Sequence, residues 1–599
     1  MSPHVRAGRL ACALAVLAGC AAAPVSDTRI PTQPEGASGW IDKPGWAGTR
    51  FAVAAAHPLA ADAGYQVLKA GGAAIDAAVA VQMVLTLVEP QSSGIGGGAF
   101  ILHWDGTSID AFDGRETAPA AADERLFLRA DGTPMPFGDA VVGGRSVGVP
   151  GTLRVLQAAH RRHGRLPWAQ LFASAIRLAD EGFVVSPRLH AALAGDRRLR
   201  ESPNAAAFFY DPEGRPWPAG HRLKNPALAA VLRQVADSGA DVFHGGPIAE
   251  DLVRRVRAHP TNPGQITGAD LAGYEAKLRS AICTDWRAIY RVCGFPPPSS
   301  GHLAMMQILK LIEYTPLLSP TRADGEASPD FLHVYTEAAR LAFADRAAHV
   351  GDPDFVSPPA GDWSSLLAEG YLRERARLIG ARSQRVAPPG QPGTPHSAWA
   401  PMAWQPEGGT SHISIVDADG RAVAMTTTIE GAFGSKLLAD GGTGLPGGYL
   451  LNNELTDFSF ISADTQGRPV ANRVQGGKRP RSSMSPTLVF DLRDGRLVMS
   501  LGSPGGAGII HYTAKTLIAS LDWGLDVQRA IASPNFGSNN GPTLLERGRF
   551  AQPVIDALKA RGHLVNETDL TSGVQAIQRT ATGWFGGADP RREGVVAGE

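Results

Sequence analysis

The alternation of apolar and polar residues is sharpest around residue 410. Ser411-His412-Ile413-Ser414-Ile415-Val416 alternates with period two, and Asp417-Ala418-Asp419-Gly420 follows as a turn. Ala422-Val423-Ala424-Met425-Thr426-Thr427-Thr428 resumes an extended pattern, so the stretch predicts a β-hairpin. Residues 487–491 and 496–501 repeat the arrangement across Leu492-Arg493-Asp494-Gly495, and Ala99-Phe100-Ile101-Leu102-His103-Trp104 reads as a further strand. Helical spacing dominates earlier in the chain. It predicts an Ala-rich helical stretch over 58–88 broken at Gly71-Gly72, then helices over 153–160, 168–181, 226–236 and 331–349, the last behind an Asp330 cap. One more helix is expected over 510–521. Helices on either side of two sheets' worth of strands predict layered α/β packing.

The hairpin begins abruptly. Residues 386–407 carry six prolines and no apolar periodicity, which reads as an extended, solvated stretch. Gly408-Gly409-Thr410-Ser411-His412 follows at once. A threonine that opens a core strand directly after Gly-Gly stands where a chain can cut itself. Its hydroxyl would attack the carbonyl of Gly409, and water would hydrolyse the resulting ester. The new terminal amine, with a pKa of roughly 8, is then a base on the same residue as the nucleophile. Glycine at 409 tolerates the strained backbone this needs. Local sequence equally allows Gly-Gly-Thr to be a plain strand start.

Composition narrows the function classes. The chain has 599 residues, 44% hydrophobic and 19% charged, with zero formal net charge, ordinary for a large globular protein. It shows no basic footprint for nucleic acid. There is no HExxH, CxxC or His/Cys cluster, so neither a metal nor a cofactor is expected. The glycine run Gly94-Ile95-Gly96-Gly97-Gly98 follows a helical pattern and opens a strand, the reverse of a dinucleotide cradle.

Arg6 and Arg9 precede an apolar run over 10–17 that is too short to span a bilayer and reads as a secretory signal. Leu17-Ala18-Gly19-Cys20 resembles a bacterial lipobox. That resemblance implies removal of residues 1–19, lipid on Cys20, a tether over 20–45 and a periplasmic location, with Ala21 favouring the outer membrane. Cys283 and Cys293 flank a second hairpin pattern, and in an oxidising periplasm their pairing is an open possibility.

Several separated stretches resemble the gamma-glutamyltransferase (gamma-glutamyltranspeptidase) family from about residue 46 to the C-terminus. They are Ser93-Gly94-Ile95-Gly96-Gly97-Gly98, Pro296-Pro297-Pro298-Ser299-Ser300-Gly301, Gly351-Asp352-Pro353-Asp354-Phe355 and Gly409-Thr410-Ser411-His412. Leu451-Asn452-Asn453-Glu454, Asp457-Phe458, Arg479-Pro480-Arg481-Ser482-Ser483-Met484-Ser485-Pro486-Thr487, Gly502-Ser503-Pro504-Gly505-Gly506 and Asp589-Pro590-Arg591 complete the set. The resemblance implies the four-layer αββα fold of N-terminal-nucleophile hydrolases. It also implies a cut between Gly409 and Thr410 into a large subunit (46–409) and a small one (410–599).

Roles follow from the same resemblance. Thr410 is the expected nucleophile, Thr428 the hydroxyl that bonds and orients it, and Gly505 and Gly506 the oxyanion hole. Arg115, Ser482 and Ser483 are expected at the substrate α-carboxylate, and Glu430, Glu454 and Asp457 at its ammonium. His412 is expected to be structural. The implied activity is transfer of γ-glutamyl groups from glutathione-like amides to water or to amino-acid and peptide acceptors. Glu430 departs from the asparagine common in the family and brings three carboxylates together, which calls for a cation such as Lys436 or Arg479. It leaves open a related amidase acting on β-lactam side chains or poly-γ-glutamate. A non-catalytic envelope lipoprotein is the remaining alternative. The segment between Asp457 and Ser482 has no Tyr or Trp, so an aromatic lid is in doubt and an open cleft is expected.

Overall fold

The computed structural model describes residues 36–316, 321, 326–393 and 399–599. The predicted hairpin forms the centre of a seven-stranded sheet. Gly409–Val416 pairs antiparallel with Ala422–Glu430, flanked by Ala52–Ala55 on one side and Gly98–Trp104 on the other. Val595–Gly598, Ile109–Gly114 and Lys277–Ser280 complete that sheet. A second seven-stranded sheet runs Trp46–Gly48, Trp584–Ala588, Gln575–Arg579, Leu497–Gly502, Thr487–Asp491, Tyr290–Gly294 and Ile282–Trp286.

Three cores separate these sheets and the helices outside them. Ile413, Ile415, Val423 and Met425 face helices Pro58–Lys69 and Ala74–Val88. Val489, Met499 and Leu501 face Gly301–Tyr314, Pro329–His349 and Gly508–Leu517. Between the sheets lie Phe100, Leu102, Leu488, Phe490, Ile577 and Trp584. Period-two alternation thus sends odd residues of the central strands to the helices and even ones to the opposite sheet. The result is the αββα sandwich.

His412 points into the space between the sheets. Its ring bonds Thr426 Oγ1 at 2.8 Å and Ser414 Oγ at 3.1 Å, and burial lowers its pKa to about 3. It is a neutral structural histidine, as expected. Gly502 lies against it, since a Cβ there would come within 2.3 Å of the ring. Cys283 and Cys293 sit directly opposite one another on their hairpin and form a disulfide.

The structure revises three expectations. The long helix is capped by Ser328, whose Oγ accepts from the Phe331 amide at 3.0 Å. Pro329 takes the first helical position, where a missing N–H costs nothing, and so moves the cap ahead of Asp330. The helix expected over 510–521 begins at Gly508 and widens into a π-turn over Ile518–Asp522. The stretch 386–407 is not simply solvated: Ala387, Ala400 and Met402 are buried, although Val386 and Trp404 are exposed. Residues 394–398 of it lie outside the described residues.

The glycine run has a packing explanation. A Cβ on Gly97 would meet the Thr428 carbonyl at 2.0 Å, and one on Gly96 the Leu450 carbonyl at 2.2 Å. Gly97→Ala is therefore expected to destabilise the protein by about 1–3 kcal/mol through overpacking, read as a lower thermal midpoint. An unchanged midpoint would mean the strands separate without cost.

Candidate active site

The register of the central hairpin shifts between Gly409 and Ser411, so that Thr410 alone stands opposite two residues, Thr428 and Ile429, at a bulge in the partner strand. Its hydroxyl accepts from the Gly505 amide at 3.4 Å. Gly505 and Gly506 turn the chain from Leu497–Gly502 into helix Gly508–Leu517, with φ of 130° and 55°. A Cβ on Gly506 would lie 2.4 Å from the Glu407 carbonyl oxygen, so only glycine fits there. In the continuous chain Thr428 does not touch the Thr410 hydroxyl. It donates instead to the carbonyl of Gly409 at 2.7 Å, while the Glu430 amide donates to Thr428 Oγ1, also at 2.7 Å. The peptide bond before Thr410 is thus polarised by a hydroxyl whose own orientation is locked.

Next to this bond is a dry cluster of charge. Arg115 is buried; its Nη1 bonds Glu454, and its Nη2 bonds Asp457 at 2.5 Å and the Arg481 carbonyl at 3.0 Å. Its Nε donates to the Pro480 carbonyl at 3.1 Å. Burial holds Glu454 well above the usual carboxylate range despite Arg115, raises Asp457 to about 6 and raises Glu116 to about 7. Glu430 accepts from the Gly408 amide and, at 2.5 Å, from Asn453. Burial and the neighbouring Asp457 push it well up.

The sequence-predicted carboxylates do gather, but the compensating cation is neither Lys436 nor Arg479. Lys436 pairs with Asp196 at 2.7 Å, and Arg479 lies 3.5 Å from Asp113. Arg115 takes that role, because its planar fork spans two carboxylates at once.

The serine segment follows directly on the Pro480 and Arg481 carbonyls that Arg115 holds. Ser482 is held by its carbonyl, which accepts from Ser300 N at 2.8 Å and Ser300 Oγ at 2.7 Å; its hydroxyl accepts from Met484 N at 3.1 Å. Ser483 Oγ donates to Glu407 and accepts from Arg346 Nη2 at 2.6 Å. Arg346 also reaches Glu407 at 2.5 Å and Ser300 Oγ at 2.7 Å. Other motifs support this face: Ser299 Oγ donates to the Met484 carbonyl at 2.7 Å, and Asp352 accepts from the Arg479 amide at 2.7 Å. Phe460, in the segment that lacks Tyr and Trp, stacks on Phe127 at 4.4 Å; the indole lining the cleft is Trp404, 62% exposed.

Sequence reasoning missed Arg346, Glu407, Arg481, Asn453 and Glu116 as members of this site. Glu407 carried a signal, standing three residues before Thr410. Arg346 carried none, being one of several charges on a helix. Among the described residues, His333, Glu337 and His563 lie close enough to share an ion. Their atoms are engaged otherwise: His333 Nδ1 bonds His563 Nε2 at 2.7 Å, His563 Nδ1 bonds Thr543 at 2.7 Å, and Glu337 pairs with Arg340 at 2.8 Å.

Glu116 offers a check on the cluster. Both its oxygens are buried without a hydrogen-bond partner. Its folded pKa, about 7, exceeds the ordinary glutamate value of 4.5, so its contribution is full below pH 4.5 and is lost as pH rises through 7. Glu116→Gln is expected to raise the thermal midpoint relative to the parent at pH 8 and to make no such gain at pH 4.5, a difference on the order of 2–3 kcal/mol. A gain independent of pH would contradict this.

Comparison with known proteins fits this geometry. The gamma-glutamyltranspeptidase family description matches residues 60–599. The chain is 36% identical over 560 residues to the glutathione hydrolase proenzyme of Bacillus subtilis (strain 168), covering 91% of each chain. Its structure resembles that of a cephalosporin acylase from Bacillus halodurans, with a TM-score of 0.81, 27% identity and coverage of 93% and 97%. The Helicobacter pylori gamma-glutamyltranspeptidase superposes at a TM-score of 0.53 and 32% identity, over 60% of this chain and 99% of that one. The chain belongs to the gamma-glutamyltranspeptidase family.

Proposed function

We propose that this protein cuts itself between Gly409 and Thr410 and then transfers γ-glutamyl groups from glutathione-like amides to water or to amino-acid and peptide acceptors. The observation that carries this reading is the bond from Thr428 to the Gly409 carbonyl, 2.7 Å long, beside a Thr410 hydroxyl already facing the Gly505 amide. Thr410 Oγ attacks the Gly409 carbonyl carbon, its proton passes to the Thr410 nitrogen, and the C–N bond breaks to leave an ester. The amine is free from that point, and water then hydrolyses the ester to release the Thr410 hydroxyl and a Gly409 carboxylate. In turnover the amine takes the hydroxyl proton as Oγ attacks the γ-carbonyl, and returns it to the leaving amine.

The amides of Gly505 and Gly506 would hold the developing oxyanion, where one such donor is worth about 2.7–4 kcal/mol. Glu430 and Asp457 would meet the substrate ammonium, with Glu454 behind them on Arg115. Ser482, Ser483 and the remaining N–H of Arg115 would meet its carboxylate. Cys20 as a lipid anchor belongs to the same proposal, and intact mass of the purified protein tests both the cut and the lipid.

Thr410→Ala is expected to run as a single chain on a denaturing gel and to lose turnover of γ-glutamyl-p-nitroanilide by about four orders of magnitude or more. Two fragments, or residual turnover near the parent's, would refute the assignment. The likeness to the Bacillus halodurans cephalosporin acylase supports a second reading, a related amidase, and Glu430 is the residue that separates the two. On the γ-glutamyl reading, Glu430→Asn retains γ-glutamyl-anilide turnover. Loss of that activity with retained hydrolysis of a cephalosporin side-chain amide would favour the amidase.

A further inference from the structure

A second cavity, of about 580 Å³, shares no lining residue with the site around Thr410, Thr428, Gly505 and Arg115. Its volume falls within the range of about 300–1,000 Å³ common for small-molecule sites. Four segments build it. They are residues 135–145, residues 198–204, the stretch 255–262 at the end of helix Gly246–Arg257, and Ser435-Lys436-Leu437-Leu438.

Most of the charge along its wall is already balanced. Asp139 and Glu201 both lie on Arg198, at 2.8 and 3.5 Å. Arg255 pairs with Asp251 at 2.9 Å and Asp440 at 2.8 Å, and Lys436 pairs with Asp196 at 2.7 Å. Arg145 is the exception. This half-buried guanidinium donates from Nε to Asn262 Oδ1 at 2.5 Å and from Nη1 to the Leu126 carbonyl at 2.7 Å. Neither acceptor is an anion, and among the described residues Nη2 has no partner. A guanidinium carries five N–H donors, so three of the five remain to be met.

Asn262 fixes a second donor beside the first. It is buried, and its backbone amide donates to His259 Nδ1 at 3.0 Å. Burial lowers the His259 pKa, which keeps the ring neutral. With Nδ1 accepting, its proton sits on Nε2, for which the described residues offer no acceptor. Asn262 Nδ2 donates to the Asp139 and Val142 carbonyls at 3.2 and 2.7 Å, and its carbonyl accepts from the Arg145 amide at 3.2 Å. A Cβ on Gly143 would lie 2.8 Å from His259 Nδ1, so the two segments are in direct contact. One asparagine thus sets the orientation of both Arg145 and His259, as a preorganised pair of donors requires.

The surroundings narrow the ligand. A single uncompensated cation with a neutral N–H beside it suits one carboxylate, through charge-assisted bonds. A dianion would bring a second charge toward Asp139 and Glu201, which repel it. Met135, Val142, Leu437 and Leu438 give the same cavity an apolar wall.

We infer that Arg145 and His259 form a second binding site, one that takes a small organic monocarboxylate with an apolar side chain, the chemistry of a peptide's C-terminal residue. The site is separate from the one that holds Thr410 and does not depend on the γ-glutamyl reading.

Calorimetry on the purified full chain tests this with N-acetyl-L-leucine, N-acetyl-L-leucinamide and inorganic phosphate. The first has no free amine, so it lacks the ammonium proposed for Glu430 and Asp457. It is expected to bind saturably and at least about tenfold more tightly than the neutral amide, as for a charged hydrogen bond, and more tightly than phosphate. Arg145→Gln is expected to weaken it by about tenfold or more. Thr261 lines the cavity and is exposed, so substitutions there leave the core intact if Arg145→Gln fails to fold. Thr261→Glu is expected to weaken binding by about threefold and Thr261→Lys to strengthen it by about the same factor. Absence of binding to the parent, or an affinity that none of these variants changes, overturns the inference. Phosphate or the amide binding as tightly as N-acetyl-L-leucine overturns it too.

Discussion

One buried guanidinium sets the terms for this site. Arg115 spans Glu454 and Asp457, while Glu116 and Glu430 lie in the same dry region. Without a cation, such a group of carboxylates would be driven apart or neutralised, since burial disfavours each charge and each charge disfavours the next. With Arg115 in place the cluster survives, but its members titrate far from their usual range. That poised state suits a site meant to receive a positively charged group and then let it go.

The same economy governs the neighbouring backbone. Glu430 adopts a left-handed conformation, with φ of 71°, uncommon for a side chain of its size. In return its carboxylate reaches back to the Gly408 amide, and its own amide orients Thr428 toward Gly409. The residue that departs from the family pattern is therefore part of the mechanical support of the bond before Thr410. Gly408 and Gly506 are squeezed by this arrangement, each lying against backbone that a Cβ would strike at 2.3 and 2.4 Å.

Likeness to a cephalosporin acylase and to a gamma-glutamyltranspeptidase at once shows how far the scaffold can be shared. Here the sandwich brings a strand end, the Gly505 amide and the Thr428 hydroxyl to one point. What enters the cleft depends on side chains around that point. Here those side chains include acids held on Arg115 and two arginines, Arg346 and Arg481, in contact with the stretch around Ser483.

Much of this arrangement is legible in the amino-acid sequence. The central hairpin, the helices around it and the role of Thr410 as a strand-opening residue after two glycines follow from period and turn chemistry, which are local. The distant motifs are legible as a set, and the glycines among them mark places of close backbone approach. Local pattern fails where contact between distant segments decides. Residues 386–407 read as solvated because prolines hide a few anchoring side chains, yet Met402 and Glu407 are drawn into the cleft by Arg481 and Arg346. Lys436 and Arg479 are as plausible as Arg115 to neutralise the carboxylates, since charge type is visible in sequence and distance is not. Sequence determined which chemical groups exist and which strand presents the nucleophile. The tertiary structure alone decided which charges share a dry space, because Coulomb energy depends on separation and burial, and neither is encoded in neighbouring residues.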